Sequence, residues 1–157
     1  MDDLRFEAAT VADLDALLAL ARAFHAEDGH ALSQAGAGAL AAVAGGEPLA
    51  RCWLVRRAGR AVGYVVLSLG FSIEHGGRDG FIDDLYLVPA ARGMGLGRAL
   101  LAFAVGEAEK LGIRMLHLEV EPGNDRAHDL YRRNGFTESG RRLMSRRLAI
   151  PEVAAGG

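Results

Sequence analysis

Residues 87–103, with the sequence LVPAARGMGLGRALLAF, pass from an apolar run to an amphipathic pattern through three alternating glycines. The run FIDDLYLV predicts a buried strand that ends at Pro89, and apolar residues at helical spacing predict a helix over 95–111 that stops at Gly112. A turn between a strand and a helix needs one glycine at most. The additional glycines indicate that a group from outside the chain approaches this backbone closely.

The first turn of a helix offers backbone N–H groups without intrahelical partners, and the helix macrodipole favours an anion there. A phosphate group is therefore the expected ligand of the glycine loop. The loop has no lysine, which a nucleoside triphosphate P-loop requires, and the last glycine of a dinucleotide G-x-G-x-x-G pattern is replaced by Arg98 or Leu100. The pattern that does fit is R-x-x-G-x-G, from Arg92 to Gly97.

The first half of the chain predicts two helices followed by a β-hairpin. The helices lie in TVADLDALLALARAF, with Thr10 as N-cap, and in LSQAGAGALAAVAGGEP, where Gly36 and Gly38 predict an early break. Two strands over ARCWLVRRAGRAVGYVVLSL turn at Ala58 and Gly59, and FSIEHGGRDG is interpreted as a loop.

The second half predicts a crossover unit. RMLHLEVE follows the long helix as a strand, NDRAHDLYRRNG is a short helix, and FTESGRRLMSRRL supplies one or two final strands. Strand, helix and strand within 80–121 imply one parallel pair, whereas the earlier hairpins imply antiparallel pairs. The expected fold class is α/β, a mixed sheet with helices on both faces.

Length and composition favour one domain over residues 1–150, with a frayed tail at 151–157. The formal net charge of -2 gives no bulk attraction to nucleic acid or to an anionic membrane, so neither is an expected partner. A lone cysteine, Cys52, and a start without a secretory signal pattern predict a cytoplasmic protein. Abundant arginine beside the single Lys110 is typical of a GC-rich bacterial genome. The five histidines lack zinc-site spacing, so no metal is predicted.

Two motifs resemble those of one known family. The Arg92–Gly97 pattern, between a strand and a helix, resembles the acetyl-CoA loop of the GCN5-related N-acetyltransferases. The run from Asn124 to Tyr131-Arg-Arg-Asn-Gly-Phe136 is similar to the second signature of that family, and RFEAATVADLDAL is similar to its first strand and helix. The resemblance implies a mostly antiparallel sheet with one parallel, splayed strand pair, acetyl-CoA as co-substrate, and a possible homodimer through the last strands.

The resemblance also implies which residues bind the coenzyme. The loop would cradle the pyrophosphate, and the preceding strand would pair its backbone with the amides of the pantetheine arm. A backbone N–H near Leu85 would face the thioester oxygen, and Asn124 would lie near the pantetheine. The expected coenzyme-binding residues are Leu85, Tyr86, Leu87, Arg92, Gly93, Met94, Gly95, Leu96, Gly97, Arg98 and Asn124.

Three residues are candidates for proton transfer. Tyr131 occupies the position of the family tyrosine that protonates the departing thiolate, although an aromatic on an amphipathic helix is also a plausible core residue. IDDLY resembles the L-E-D-L-Y run of polyamine-type members, so Asp83 would assist deprotonation of the amine, directly or through a water. Glu119 is the second candidate for the base, and a solvated surface role for it is equally consistent with the sequence.

The acceptor is less well defined. Five acidic side chains lie in segments that border the acceptor cleft of that family and favour a cationic primary amine, namely Asp83, Asp84, Glu74, Glu27 and Asp28. Polyamines, aminoglycosides, amino acids and a protein lysine or N-terminus all stay open. The rival hypotheses are a non-catalytic acyl-CoA sensor, and transfer of a longer acyl group or transfer to a hydroxyl.

Overall fold

A computed structural model of the chain describes residues 3–151. The helices and strands, in chain order, are β1 Leu4–Ala8, α1 Leu14–Glu27, α2 Gln34–Ala44, β2 Ala50–Arg57, β3 Arg60–Ser72, β4 Gly77–Leu87, α3 Leu96–Lys110, β5 Met115–His117 and α4 Asp125–Arg133. Of the predicted tail at 151–157, residues 152–157 lie outside the described residues. None of the helices in the described range is long and apolar enough to cross a membrane.

The strands form one sheet in the order β1-β2-β3-β4-β5. The first three pairs are antiparallel, and β4 and β5 are parallel because α3 crosses over between them. The mixed α/β sheet predicted from the sequence is therefore confirmed, and so is the β2–β3 turn at Ala58 and Gly59.

Side chains that alternate along the strands build one apolar cluster on each face of the sheet. On one face Val65 and Leu67 pack with Leu100 and Ala104 of α3. On the other face Tyr64 and Val66 pack with Leu17 and Leu40, which come from α1 and α2. Helices thus cover both faces, and the buried strands are held between two apolar layers.

Helix α2 is continuous over its eleven residues, although Gly36 and Gly38 predicted an early break. The side chain of Ser33 caps the helix, because its Oγ accepts a hydrogen bond from the Gly36 backbone at 2.9 Å. The cap places Gly36 in the first turn, where a glycine costs less than it does in a helix interior. The predicted break is therefore wrong.

The β3–β4 hairpin is longer than the sequence predicts. FSIEHGGRDG is not a loop, since β3 continues to Ser72 and β4 begins at Gly77, so only 73–76 form the turn. Glycine lowers strand propensity, which concealed these ends of the strands. A Cβ on Gly80 would lie 2.8 Å from the Ser68 carbonyl oxygen, so glycine is required where the two backbones approach each other.

A β-bulge interrupts the pairing of β4 with β3 at the acidic dipeptide. Ile82 pairs with Leu67 and Asp84 pairs with Val66, so Asp83 is the additional residue between two regular pairs. Because of the bulge, Asp84 lies on the same face of the sheet as Tyr64 and α1.

The last part of the chain differs most from the predictions. Strand β5 spans three residues instead of the predicted run from 114 to 121, and 118–123 leave the sheet. The described residues 137–151, here called the C-terminal arm, contain no strand, so the predicted final strands are wrong for the isolated chain. A strand needs a partner to bond its backbone, and an alternating pattern does not say where the partner is. The Arg141 guanidinium fastens the arm to Glu74, with N···O distances of 2.6 and 2.9 Å.

Candidate functional site

The glycine loop is open on the side that a phosphate would approach. Gly93 and Gly95 have φ values of +89° and +75°, which residues with a side chain rarely adopt. A Cβ on either glycine would meet no atom within 4 Å. Gly95 is the N-cap of α3, and no acidic residue lies in the first turn of that helix. The positive end of the helix and the unobstructed N–H groups therefore fit the pyrophosphate of a coenzyme.

The other residues of the loop contribute in different ways. The side chain of Leu96 is buried in the core beneath α3, whereas Met94 and Arg98 are exposed. Gly97 would place a Cβ 3.6 Å from Leu130 of α4, an ordinary contact. The geometry of the cradle therefore depends on backbone at 93–97, with Arg98 available to add positive charge.

Arg92 is already engaged by protein groups. Its Nη2 donates to both carboxylate oxygens of Glu27 at 2.9 and 2.8 Å, and its Nε donates to the Leu87 carbonyl at 3.0 Å. The guanidinium carbon lies 5.6 Å from the centre of the Tyr86 ring. These hydrogen bonds from Arg92 hold the pKa of the Glu27 carboxyl below its usual value.

The predicted pantetheine strand has a free edge. Within the described residues, β4 pairs with β5 only from Asp79 to Phe81, so the stretch 82–87 is bonded to β3 on one side alone. Leu85, Tyr86 and Leu87 lie in this stretch, and the side chains of Tyr86 and Leu87 are buried in the clusters on the two faces. The backbone groups of this stretch that face the open edge can therefore pair with an extended ligand, apart from the Leu87 carbonyl, which already accepts from Arg92.

Tyr131, Glu119 and Asn124 line one cleft of about 1470 Å³ between the chain after β5, α4 and the C-terminal arm. Tyr131 is half-buried, with its ring centre 6.0 Å from that of Phe136. Partial burial raises the pKa of the Tyr131 hydroxyl, so the group keeps its proton at neutral pH. A hydroxyl in that state can donate a proton or a hydrogen bond.

Asp83 does not line this cleft, but its carboxyl lies near that of Glu119. Loss of hydration raises the pKa of Asp83 first, and the charges of Asp84 and Glu119 raise it further. The charges of Asp84 and Glu119 therefore act on Asp83 where β4 and the chain after β5 separate. A carboxyl with a raised pKa is a stronger base than an ordinary aspartate.

Two residues that the sequence did not single out hold Asp84. The Tyr64 hydroxyl donates to Asp84 Oδ2 at 2.7 Å, and Nε2 of His25 lies 3.6 Å from the same oxygen. Tyr64 looked like one more apolar position of a buried strand, and His25 lies at the polar end of α1, so neither carried a signal. Only the bulge at Asp83 brings them to one carboxylate.

Asn124 caps α4. Its side-chain oxygen accepts a hydrogen bond from the Ala127 backbone at 3.3 Å, and the cap leaves the Nδ2 group available for another partner. Among the described residues, no group of three or more histidine, cysteine, aspartate or glutamate side chains is arranged to hold a metal ion.

The comparison with known families agrees with this geometry. Residues 14–136 match the family described as "Acetyltransferase (GNAT) family". The chain belongs to the GNAT family. The match covers most of this GNAT chain and includes the glycine loop, β4, α4 and Tyr131, and it confirms the resemblance found in the two motifs.

Individual relatives of this GNAT chain are only partly similar to it. An aminoalkylphosphonate N-acetyltransferase from Salmonella typhimurium is 34% identical over 86 residues, which are 55% of this chain and 56% of that enzyme. The matched region thus spans about half the length of this curated relative.

Solved structures match over nearly the whole chain. An integron cassette protein from the mobile metagenome of Cole Harbour Salt Marsh superposes with a TM-score of 0.80 at 40% identity, over 93% of this chain and 91% of that one. The aminoglycoside N-acetyltransferase AAC(6')-Iy in complex with CoA has a TM-score of 0.74 at 17% identity, over 92% and 94% of the two chains. At that identity the second likeness concerns the fold alone.

Proposed function

We propose that this chain is an acetyl-CoA-dependent N-acetyltransferase in which an amine attacks directly within a ternary complex. The observation that carries the proposal is the open glycine loop at the start of α3, next to a strand edge that is free over 82–87. A tight turn would explain neither the missing side chains of the loop nor the free edge. The family match and the named activity of the Salmonella relative support the same chemistry.

The backbone of Gly93 to Arg98 would hold the pyrophosphate, and that of Leu85 to Leu87 would align the pantetheine. The amine nitrogen bonds to the thioester carbonyl carbon, and the carbon–sulfur bond then breaks. The Tyr131 hydroxyl gives its proton to the departing thiolate, since its raised pKa keeps that proton in place until sulfur becomes basic. An N–H near Leu85 would stabilise the negative charge that develops on the carbonyl oxygen.

The attacking amine must lose a proton, and Asp83 is the proposed base, directly or through a water. Its carboxyl is partly desolvated, which raises its pKa, and the residue is still exposed enough for a water to reach it. Glu119 is the second candidate, because it lies near Asp83 and lines the cleft that contains Tyr131.

The proposed acceptor is a small cationic primary amine. Asp83, Asp84 and Glu119 provide a negative field where the strands separate, which attracts an ammonium group and disfavours an anion. A protein lysine or N-terminus carries the same charge and is the alternative acceptor class, and a non-catalytic acyl-CoA sensor is the alternative function.

The first test is a calorimetric titration of acetyl-CoA into the wild type, Gly95→Glu and Gly95→Ala. Both variants strain the same positive φ, but only glutamate brings a negative charge to the proposed pyrophosphate position. We expect binding by the wild type, weaker binding by the alanine variant and none by the glutamate variant, with circular dichroism as the check on folding. No binding by the wild type would disprove the proposal.

A screen of cationic amines then separates enzyme from sensor. Turnover with small amines supports the proposed acceptor, and turnover with lysine peptides alone supports the protein-modifying alternative. Coenzyme binding without any turnover across both panels would favour the sensor.

We also propose that the active form is a homodimer joined by the C-terminal arm. Leu143, Met144, Leu148 and Ile150 of the arm are 71%, 91%, 65% and 75% exposed, which is unusual for four large apolar residues in a short segment. Strand β5, at the edge of the sheet, has an open side that could pair with such a segment from a second copy.

A further inference from the structure

One side chain ties three parts of the candidate site together. Arg92 starts the glycine loop and donates to the carboxylate of Glu27, the last residue of α1, and to the carbonyl of Leu87, the last residue of β4. The ends of the helix, of the pantetheine strand and of the loop therefore meet at a single guanidinium, which also lies over the ring of Tyr86.

This arrangement adds little to stability. The side chains of Arg92 and Glu27 are 34% and 45% exposed, and ion pairs at that exposure are screened by solvent. Arginine differs from lysine in its planar fork, which fixes direction as well as charge. Here Nε and Nη2 bond to different elements, so the fork sets the position of the backbone that enters Gly93.

The negative charge of Glu27 is unexpected next to a loop that is proposed to bind an anion. A carboxylate beside an anion-binding loop repels a polyanionic coenzyme, and it holds the guanidinium that would otherwise reach the pyrophosphate. If Arg92 served as a phosphate ligand, Glu27 would compete with the phosphate and weaken binding. If Arg92 instead positions the loop, the Glu27 carboxylate is needed to hold Arg92, and its repulsion of the coenzyme phosphates is outweighed by the correct placement of the loop.

We propose that Arg92 is a positioning residue of the coenzyme loop, held by Glu27 and the Leu87 carbonyl, and not a ligand of the pyrophosphate. The inference rests on the proposed function, since it concerns how the same loop receives acetyl-CoA. It assigns Glu27, at the end of α1, a role in coenzyme affinity although it lies 65 residues before Arg92.

The decisive experiment compares Glu27→Gln with Asp28→Asn in the full chain, by calorimetric titration of acetyl-CoA. Each variant removes one negative charge from the same end of α1, so each reduces the long-range repulsion of the coenzyme. Only Glu27→Gln removes the acceptor of Arg92. We expect Asp28→Asn to bind as the wild type or slightly more tightly, and Glu27→Gln to bind about tenfold more weakly, the scale of one lost charge-assisted hydrogen bond.

A double-mutant cycle adds the second readout. If Glu27 acts through Arg92, Glu27→Gln with Arg92→Gln binds no more weakly than Arg92→Gln alone. Steady-state kinetics should give a higher KM for acetyl-CoA at nearly constant kcat, because the loop binds the coenzyme and does not touch the reacting atoms. Loss of folding alone would lower kcat and the melting temperature together.

Tighter binding by Glu27→Gln than by Asp28→Asn would overturn the inference, because it would mean that the released guanidinium serves the phosphate. That outcome leaves the proposed function intact. Failure of the wild type to bind acetyl-CoA would instead remove the proposed function and this inference with it, so the two failures are distinguishable.

Discussion

Asp83 is the additional residue of the β4 bulge, and its carboxyl lies near those of Asp84 and Glu119. Lost hydration and these two charges raise its pKa, so the folded protein binds this proton more tightly than the unfolded chain does. Protonated Asp83 therefore favours folding below the unfolded value of 3.8, and that contribution is lost as the pH rises through the raised pKa. The ionised carboxylate reduces stability, and in the proposed mechanism it is the base.

Asp83→Asn should therefore raise the melting temperature at pH 7 and lower kcat/KM by about 10²-fold, the lower range for a lost general base. The difference in melting temperature should vanish near pH 3, where both side chains are neutral. Thermal melts at the two pH values and a pH–rate profile check this.

Asp84→Ala is the contrasting control, since it leaves the buried Tyr64 hydroxyl without its acceptor and should cost about 1–3 kcal/mol. Full activity in Asp83→Asn would move the role of base to Glu119.

Tyr131→Phe removes one hydroxyl and keeps the ring that packs near Phe136. We expect kcat to fall by about 10²-fold, as for loss of a general acid, while the Kd for acetyl-CoA stays near the wild-type value. Calorimetry and steady-state kinetics separate the two quantities. Unchanged kcat would make Tyr131 a core aromatic, the alternative left open by the sequence.

At the level of single residues, the sequence singled out candidate positions but not the contacts that those positions make. The loop glycines stood out because their spacing is unusual for a turn. The pairing of Arg92 with Glu27 did not, because it joins segments that are far apart in the chain and meet only when α1 packs on the sheet. Tyr64 and His25 were missed for the same reason.

Asn124 is the N-cap of helix α4 and is also a proposed coenzyme contact. Asn124→Ser keeps a side-chain oxygen for the cap, whereas Asn124→Ala loses it and should cost about 1 kcal/mol. Both variants lack the Nδ2 group. We therefore expect a stability loss in the alanine variant alone and a raised KM for acetyl-CoA in both, measured by denaturant melts and kinetics. If serine restores KM as well, Asn124 acts through the cap only.

Among the elements, helices were predicted more accurately than strand ends. The predicted helix 95–111 is observed as Leu96–Lys110, because apolar periodicity and the Gly112 stop are local signals. The ends of β3 and β4 depend on contact between two backbones at Gly80, and the length of β5 depends on where it leaves β4. Neither property is encoded in a short window of sequence.

At the scale of the whole molecule, the mixed sheet was predicted and the structure of the C-terminal arm was not. The order of elements determines one crossover and hence the parallel β4–β5 pair, so the mixed sheet followed from connectivity. The arm was predicted as strands from its alternation, but the described chain offers it no strand partner. A single sequence carries no signal for a strand partner that a second copy of the chain would provide.

The proposed dimer makes a prediction for the intact protein. Met144→Asp with Leu148→Asp should convert a dimer to a monomer in sedimentation velocity, because two charges then replace apolar side chains of the arm. Ser145→Asp with Ser139→Asp adds the same charge at exposed polar positions and should leave the dimer intact. A wild type that sediments as a monomer at micromolar concentration would refute the dimer.

The free edge of β4 over 82–87 also bears on the solubility of the protein. Unpaired N–H and C=O groups along a strand are a template for edge-to-edge association between molecules. In many proteins a lysine or a proline on the edge strand prevents this association. An edge strand that binds an extended ligand would lose that binding if it carried such residues. A bound coenzyme would therefore cover this edge, and the ligand-free protein would aggregate more readily than the complex.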